Sequence, residues 1–183
     1  MTLRRWTKLR EETVHRNPWW LYMRDRVRHP AGTLGDYHYV RTPGSVMIIP
    51  HRDDDRFVLV RQYRYLNDRD SVEFPAGGIK LDQDVREAAV AELREEAGLT
   101  AGRWQELGIF NPFNGVTDEL CRCFLATDLT ECAADPDQTE EFEILIRDAN
   151  QIRGMIAEGE LWDGMSLAAW SLYTARAYAE RDA

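Results

Sequence analysis

In the stretch FPAGGIKLDQDVREAAVAELREEAGL, residues 74–99, three glutamates crowd together: Glu92, Glu95 and Glu96. At about 100° per residue a helix sends all three into an arc of roughly 100° on one face. Like charges at such spacing cost a few tenths of a kcal/mol per pair, roughly, in an isolated helix. A hard divalent cation such as Mg²⁺ reverses that penalty, because carboxylate oxygens are its preferred ligands. A solvated acidic face is the plain alternative. Gly77 and Gly78 precede the helix on a tight loop, where bare backbone can approach a phosphate or a metal. That neighbour favours the cation.

The helix itself is expected over residues 84–97, which hold good helix formers and no breaker, with Gly98 closing it. Ala89, Val90, Leu93 and Ala97 make the face that docks on a sheet, and Ala88 leaves the space above the carboxylates clear.

This stretch resembles the Nudix box: Gly, five residues, Glu, seven residues, Arg-Glu, an aliphatic, any residue, Glu-Glu, any residue, Gly, an aliphatic. Gly77, Glu92, Leu93, Glu95, Glu96, Gly98 and Leu99 match. Gln83 replaces the first glutamate and Ala91 the arginine. Gln83 keeps an acceptor oxygen without the charge, and an arginine at 91 would pair with Glu95 at i, i+4. RQYR at 61–64, EFPAGG at 73–78, NPWW at 17–20, NGVTDE at 114–119 and the late Glu140-Glu141-Phe142 extend the resemblance to the ADP-ribose pyrophosphatase branch.

The resemblance implies an enzyme that uses water to cleave the diphosphate of a nucleoside diphosphate-sugar, ADP-ribose first, giving AMP and ribose 5-phosphate. It implies Mg²⁺, with Mn²⁺ as an alternative, on Glu92 and Glu96, with Glu95 and the carbonyl of Ala76 completing the set. Glu140, with Glu141 as neighbour and ahead of Glu143, matches the acid that activates water; Glu95 and Glu96 share the catalytic role. Arg64 matches an arginine on the diphosphate, Arg61 is a second candidate, and Glu73 resembles a residue near the terminal sugar or second metal. Gly77 and Gly78 line the same substrate, and Trp19 and Trp20 are candidates to stack on its base. Simple exposure is a rival reading for Glu73 and ordinary packing for the tryptophans. The family's ADP-ribose marker proline falls at Asn114, with Pro112 nearby, which leaves other nucleotide sugars open. A nucleotide-sugar sensor without turnover and a hydrolase of oxidised nucleoside triphosphates are the rival functions.

Composition sets the frame. The chain has 183 residues, 44% hydrophobic and 30% charged, enough for one domain with a core and a small appendage. The net charge of −9 argues against nucleic acid. Residues 1–30 nevertheless carry eight Lys/Arg against three Asp/Glu; such asymmetry fits a partner-binding arm or, more plainly, a solvated edge strand kept soluble by arginine, and it suits an anionic substrate. No apolar run spans a bilayer and no secretory signal is evident, so a cytoplasmic protein is expected. Cys121, Cys123 and Cys132 fit no zinc spacing and read as reduced thiols.

The elements that must position these residues follow. RRWTKLREETVH, WWLYMRDRV and DYHYVR, between Pro/Gly turns, read as strands. VMIIP and RFVLVRQYR, joined by HRDDD, read as a buried hairpin. SVEF, WQELGIF, LCRCFLATDL and EFEILI are further strands; ANQIRGMIAEGE and SLAAWSLYTARAYAERD are helical. The expected fold is α+β: a Nudix-type α/β/α sandwich with a mixed sheet. Residues 1–44 form a β extension for dimerisation and a substrate wall, residues 45–183 the hydrolase domain, and the family resemblance implies a homodimer.

Overall fold

The computed structural model describes residues 2–134 and 141–181. The chain forms two compact units: Met1–Gly44 with Asn111–Leu120, and Ser45–Phe110 with Cys121–Ala183.

The first unit is an antiparallel sheet in the order β1-β2-β3, from β1 (Thr7–Arg16), β2 (Leu21–Arg28) and β3 (Leu34–Arg41). Along β2, Met23, Asp25 and Val27 are buried while Arg24, Arg26 and Arg28 are exposed, the period-2 alternation of a one-sided sheet. The segment Asn111–Leu120 runs beside β3: Val40 N–H donates to Val116 O at 2.8 Å, and Arg41 pairs with Asp118 at 3.2 Å.

The second unit has two sheets. β7 (Ala76–Gly78), β4 (Ser45–Pro50), β9 (Cys121–Glu131) and β8 (Leu99–Phe110) lie in that order, and only the β4–β9 pair is parallel. β10 (Glu143–Asp148), β5 (Arg56–Arg64) and β6 (Arg69–Glu73) form an antiparallel sheet. Among the described residues three α-helices complete it: α1 (Val85–Ala97), α2 (Ala149–Glu158) and α3 (Gly164–Arg181).

β4 shows why this is a sandwich. All six of its residues are buried. Val46 and Ile48 join Ala88, Ala89, Leu93 and Ala97 of α1 in one core. Met47 and Ile49 join Ile152, Met155, Ala169 and Trp170 of α2 and α3 in another. A strand apolar on both faces needs a layer on each side. The expected α/β/α arrangement is therefore the observed one.

Several local expectations are corrected. VMIIP and RFVLVRQYR do not pair as a hairpin; a single bridge, His51 to Phe57, joins them before β4 and β5 enter different sheets. Both strands are buried on two faces, so each takes its ladder partners from more distant sequence. Residues 76–78 are no loop but a short strand on β4, with Val46 opposite Gly77 and Met47 opposite Ala76. Val90 is 40% exposed, and Ala88 is core rather than open space above the glutamates. Cys121, Cys123 and Cys132 are thiols outside any disulfide, and burial pushes the Cys123 thiol up to about 12. No described helix is long and apolar enough to cross a membrane.

Candidate active site

α1 is built to hold its glutamates steady. Asp84 caps its start, accepting from Arg86 N–H at 2.8 Å and Glu87 N–H at 3.1 Å. Gly98 ends it in the left-handed region at φ +61°, its N–H returning to Arg94 O at 3.1 Å. Leu93 and Ala89, fully buried, seat the helix on the sheet. Glu92 and Glu96, one turn apart, then meet the residues of β7.

There the fit is close. Glu96 is 6% exposed, and its Oε2 accepts the Ala76 N–H at 3.0 Å. The Glu92 carboxylate occupies the space where Gly77 lacks a side chain: a Cβ at 77 would lie 2.0 Å from Glu92 Oε1. A Cβ at Gly78 would meet nothing within 4 Å. So Gly77, and not its neighbour, is required by the carboxylate. Glu95 is half-buried on the same helix. Among the described residues no three His, Cys, Asp or Glu side chains are already gathered into a metal cage. The donors that do converge on β7 are carboxylates, the ligand chemistry that hard divalent cations select. On that ground the residues fit a divalent cation.

A second cluster stands on one face of the β5–β6 pair. Glu73 is 3% exposed, which removes the simple-exposure reading. Arg64 grips it with two hydrogen bonds: Nε to Oε1 at 2.8 Å, and Nη2 to Oε2. Gln62 Nε2 adds a longer contact at 3.4 Å. The Glu73 carboxylate raises the Arg64 guanidinium above its ordinary value against the opposing effect of burial, and Asp163 and Glu96 add to the field. Arg64 is thus a fixed cation facing acids of two other elements.

Arg61 is not part of that cluster. It lies opposite Glu143 and Val72 in the ladder, three residues from Arg64, and so points to the other face. There it pairs with Glu143 at 2.8 Å and Glu160 at 3.1 Å. Trp19 and Trp20 belong to the first unit, in the β1–β2 turn, 75% and 39% exposed. The Asn17 side chain holds that turn, accepting from both of their N–H groups. Glu140 lies outside the described residues; Glu141 is exposed. Gln83 spends its Oε1 on the Lys80 N–H at 2.9 Å, as a turn residue. Ala91 lies beside a shallow depression lined by Arg86, Glu87, Val90 and Arg94.

Sequence reading missed the segment Glu160–Ser166. Glu160 pairs with Arg61, and Trp162 Nε1 donates to Asp70 O at 3.2 Å under the Arg69 guanidinium, 3.7 Å from the ring centroid. Ser166 Oγ accepts the Phe74 N–H at 3.0 Å. No spacing rule connects residues so far apart. The only local signal is Asp163 followed three residues later by Ser166, a helix start.

The NUDIX domain model matches residues 41–162. The chain belongs to the Nudix family. It is 29% identical over 145 residues to the ADP-ribose pyrophosphatase of Bacillus subtilis (strain 168), covering 78% of each chain. It is 34% identical over 134 residues to the ADP-ribose pyrophosphatase of Mycobacterium tuberculosis (strain ATCC 25618 / H37Rv), covering 73% of this chain and 65% of that one. A crystal structure of an ADP compounds hydrolase superimposes with a TM-score of 0.85 at 22% identity, covering 98% of both chains, which establishes the fold. The chain is a Nudix hydrolase, and enzymes of this family generally use divalent metal ions.

Proposed function

We propose that this Nudix hydrolase cleaves the diphosphate of ADP-ribose with Mg²⁺, or Mn²⁺ in its place, releasing AMP and ribose 5-phosphate. The observation that carries the reading is the closure of Glu92 and Glu96 on the bare backbone of Ala76–Gly77, beside an arginine that Glu73 holds in place. The names of the two pyrophosphatase relatives support the choice of ADP-ribose.

In this reading Glu92, Glu96, Glu95 and the Ala76 carbonyl hold the cation. When bound, it supplies positive charge against the diphosphate and makes water a stronger acid. The chain's own residues do the rest. Arg64 presents a planar fork whose direction Glu73 fixes before substrate arrives, which suits two phosphate oxygens better than a mobile ammonium. Gly77 leaves room for the Glu92 carboxylate, and Gly78, with open space where a side chain would stand, lets the substrate come down to the backbone. Glu140 takes a proton from the attacking water, the bond between phosphorus and the bridging oxygen breaks, and the proton returns to a phosphate. Arg61, already matched by Glu143 and Glu160, serves the framework. Trp19 and Trp20 are offered for the nucleobase, and the working unit is a cytoplasmic homodimer.

The test is a product panel. Protein with Mg²⁺ or Mn²⁺ is given ADP-ribose, GDP-mannose, UDP-glucose, NADH, a diadenosine polyphosphate and a triphosphate, with and without EDTA, and products are separated by chromatography. AMP plus ribose 5-phosphate leading the panel, lost with EDTA and in Glu96→Gln, is the expected result. Another compound leading rewrites the substrate. Full turnover in Glu96→Gln overturns the site.

A further inference from the structure

The run Glu73–Gly77 is anchored residue by residue. Arg64 grips the Glu73 carboxylate. The Phe74 N–H donates to Ser166 Oγ at 3.0 Å. Pro75 O accepts the Ile48 N–H at 2.8 Å, and the Ala76 N–H donates to Glu96 at 3.0 Å. Gly77 carries the Glu92 carboxylate. Four of these partners come from β4, β5 and α1. Ser166 alone comes from α3, outside every motif.

The Ser166 contact is fully internal. Phe74 and Ser166 are both 0% exposed, so a Phe74 N–H without its acceptor has no water to turn to. Ser166 is itself held: its N–H donates to Asp163 Oδ2 at 2.7 Å, and the Leu167 N–H to Asp163 O at 3.0 Å. Trp162, on the other side of Asp163, holds Asp70 of β6. Between Phe74 and Ala76 stands only Pro75, whose ring fixes φ near −65°. Anchoring the Phe74 amide therefore constrains the Ala76 peptide two residues on, where Glu96 is bonded.

We propose that Ser166 is a positioning residue for the cation site: by accepting the Phe74 N–H it sets the orientation of the Ala76 peptide beneath Glu96 and Glu92. The inference deepens the reading above and rests on it. Groups that orient metal ligands from behind typically contribute about 10–100-fold to affinity or activity. Ser166→Ala is expected to weaken Mn²⁺ by about that factor and to lower kcat with it. KM for ADP-ribose, set by Arg64 and the nucleoside contacts, stays nearly constant.

The experiment measures Mn²⁺ alone by calorimetry, then kcat and KM with ADP-ribose. The proteins are wild type, Ser166→Ala, Ser166→Thr, Glu96→Gln and Ile152→Val, with melting temperature recorded for each. Ser166→Thr, which keeps the hydroxyl, is expected to hold Mn²⁺ affinity close to wild type. Ile152→Val loosens the core that holds Phe74 while leaving the Ser166 hydroxyl and the Phe74 N–H in place, and controls for general destabilisation. If Ser166→Ala does not fold, Asp163→Ala carries the test, with the same direction expected and wild-type Mn²⁺ affinity overturning the proposal. Wild-type affinity and kcat in Ser166→Ala, or the same loss in Ile152→Val, also overturns it. Mn²⁺ binding abolished in Glu96→Gln but intact in Ser166→Ala removes this inference and leaves the function standing. A wild-type chain that binds no Mn²⁺ and cleaves nothing removes both.

Discussion

Two adjacent glycines in the same short strand do different things. At Gly77 an added Cβ would fall 2.0 Å from Glu92 Oε1, whereas at Gly78 it would meet nothing within 4 Å. Neither residue has the positive φ that would strain an alanine. The obstacle at Gly77 is the far end of a flexible side chain, so Glu92 can swing aside and the chain still folds. Gly77→Ala is therefore expected to leave the melting temperature within a few degrees of wild type. It should cut metal-dependent turnover by an order of magnitude or more, roughly the loss expected when a site is displaced by an ångström. Gly78→Ala should keep the melting temperature and the metal affinity, because its Cβ meets no protein atom, and lose turnover only so far as the Cβ stands in the substrate's way. Parallel melts, initial rates and metal titrations decide it; equal metal affinity in the two variants would remove Glu92 from the site.

The residues legible from sequence were those whose chemistry and spacing are local. Glu92, Glu95, Glu96, Gly77 and Gly98 fall within one helix and the strand before it, so counting along the chain finds them. Glu73 with Arg64 needed the β5–β6 register, and burial decided what flanking Val72 and Phe74 could not. Arg61 stands apart from Arg64 because three residues along a strand reverse the face.

At the scale of elements, the end of α1 is legible because Gly98 is a glycine stop, while its start, expected at residue 84, falls one residue later because Asp84 turns its side chain to the Arg86 and Glu87 N–H groups as a cap. β4 and β5 read wrongly because two apolar runs around a polar turn look alike whether they pair with each other or part into different sheets. Their pairing is set by β9, β7, β6 and β10, and composition carries no trace of it. The Ser166 contact is hidden for the same reason. Gly98 permits a test of how much the helix end matters. A left-handed alanine costs about 1–2 kcal/mol, and its Cβ would also press Cys132 O at 3.2 Å. Gly98→Ala is expected to lower the melting temperature by several degrees, at roughly 2–4 °C per kcal/mol for a chain of this size. The metal dependence of turnover should survive, since Leu93 and Ala89 still seat the helix. A thermal melt with a metal titration reads both; an unchanged melting temperature would mean the helix end relaxes freely.

At the scale of the whole molecule, charge is divided rather than spread: the chain is −9, yet its first thirty residues are positive. In the first unit that charge is knitted into pairs. Arg41 holds Glu11 with two hydrogen bonds, at 3.0 and 2.9 Å, and reaches Asp118 at 3.2 Å; Lys8 holds Glu11 from the other side at 2.5 Å. Arg41 first, then Lys8, holds the Glu11 carboxyl down at about 2, against an ordinary 4.5. A carboxyl lowered in the folded state stabilises it above the ordinary value, and that contribution fades as pH falls toward the folded one. The window here is therefore about 4.5 down to about 2. Glu11 is solvent-exposed, so salt screens the effect and its size is modest. The chain's six tryptophans divide evenly: Trp6, Trp19 and Trp20 in the first unit, Trp104, Trp162 and Trp170 in the second. Indole signals can thus follow the units separately. From pH 4.5 downward at low salt, the first three are expected to lose their native positions more steeply in wild type than in Glu11→Gln, which has no proton to gain there. Added salt should shrink the difference between the two proteins. Identical acid profiles for both would show that the Lys8–Glu11–Arg41 pairs contribute nothing to holding the N-terminal sheet together.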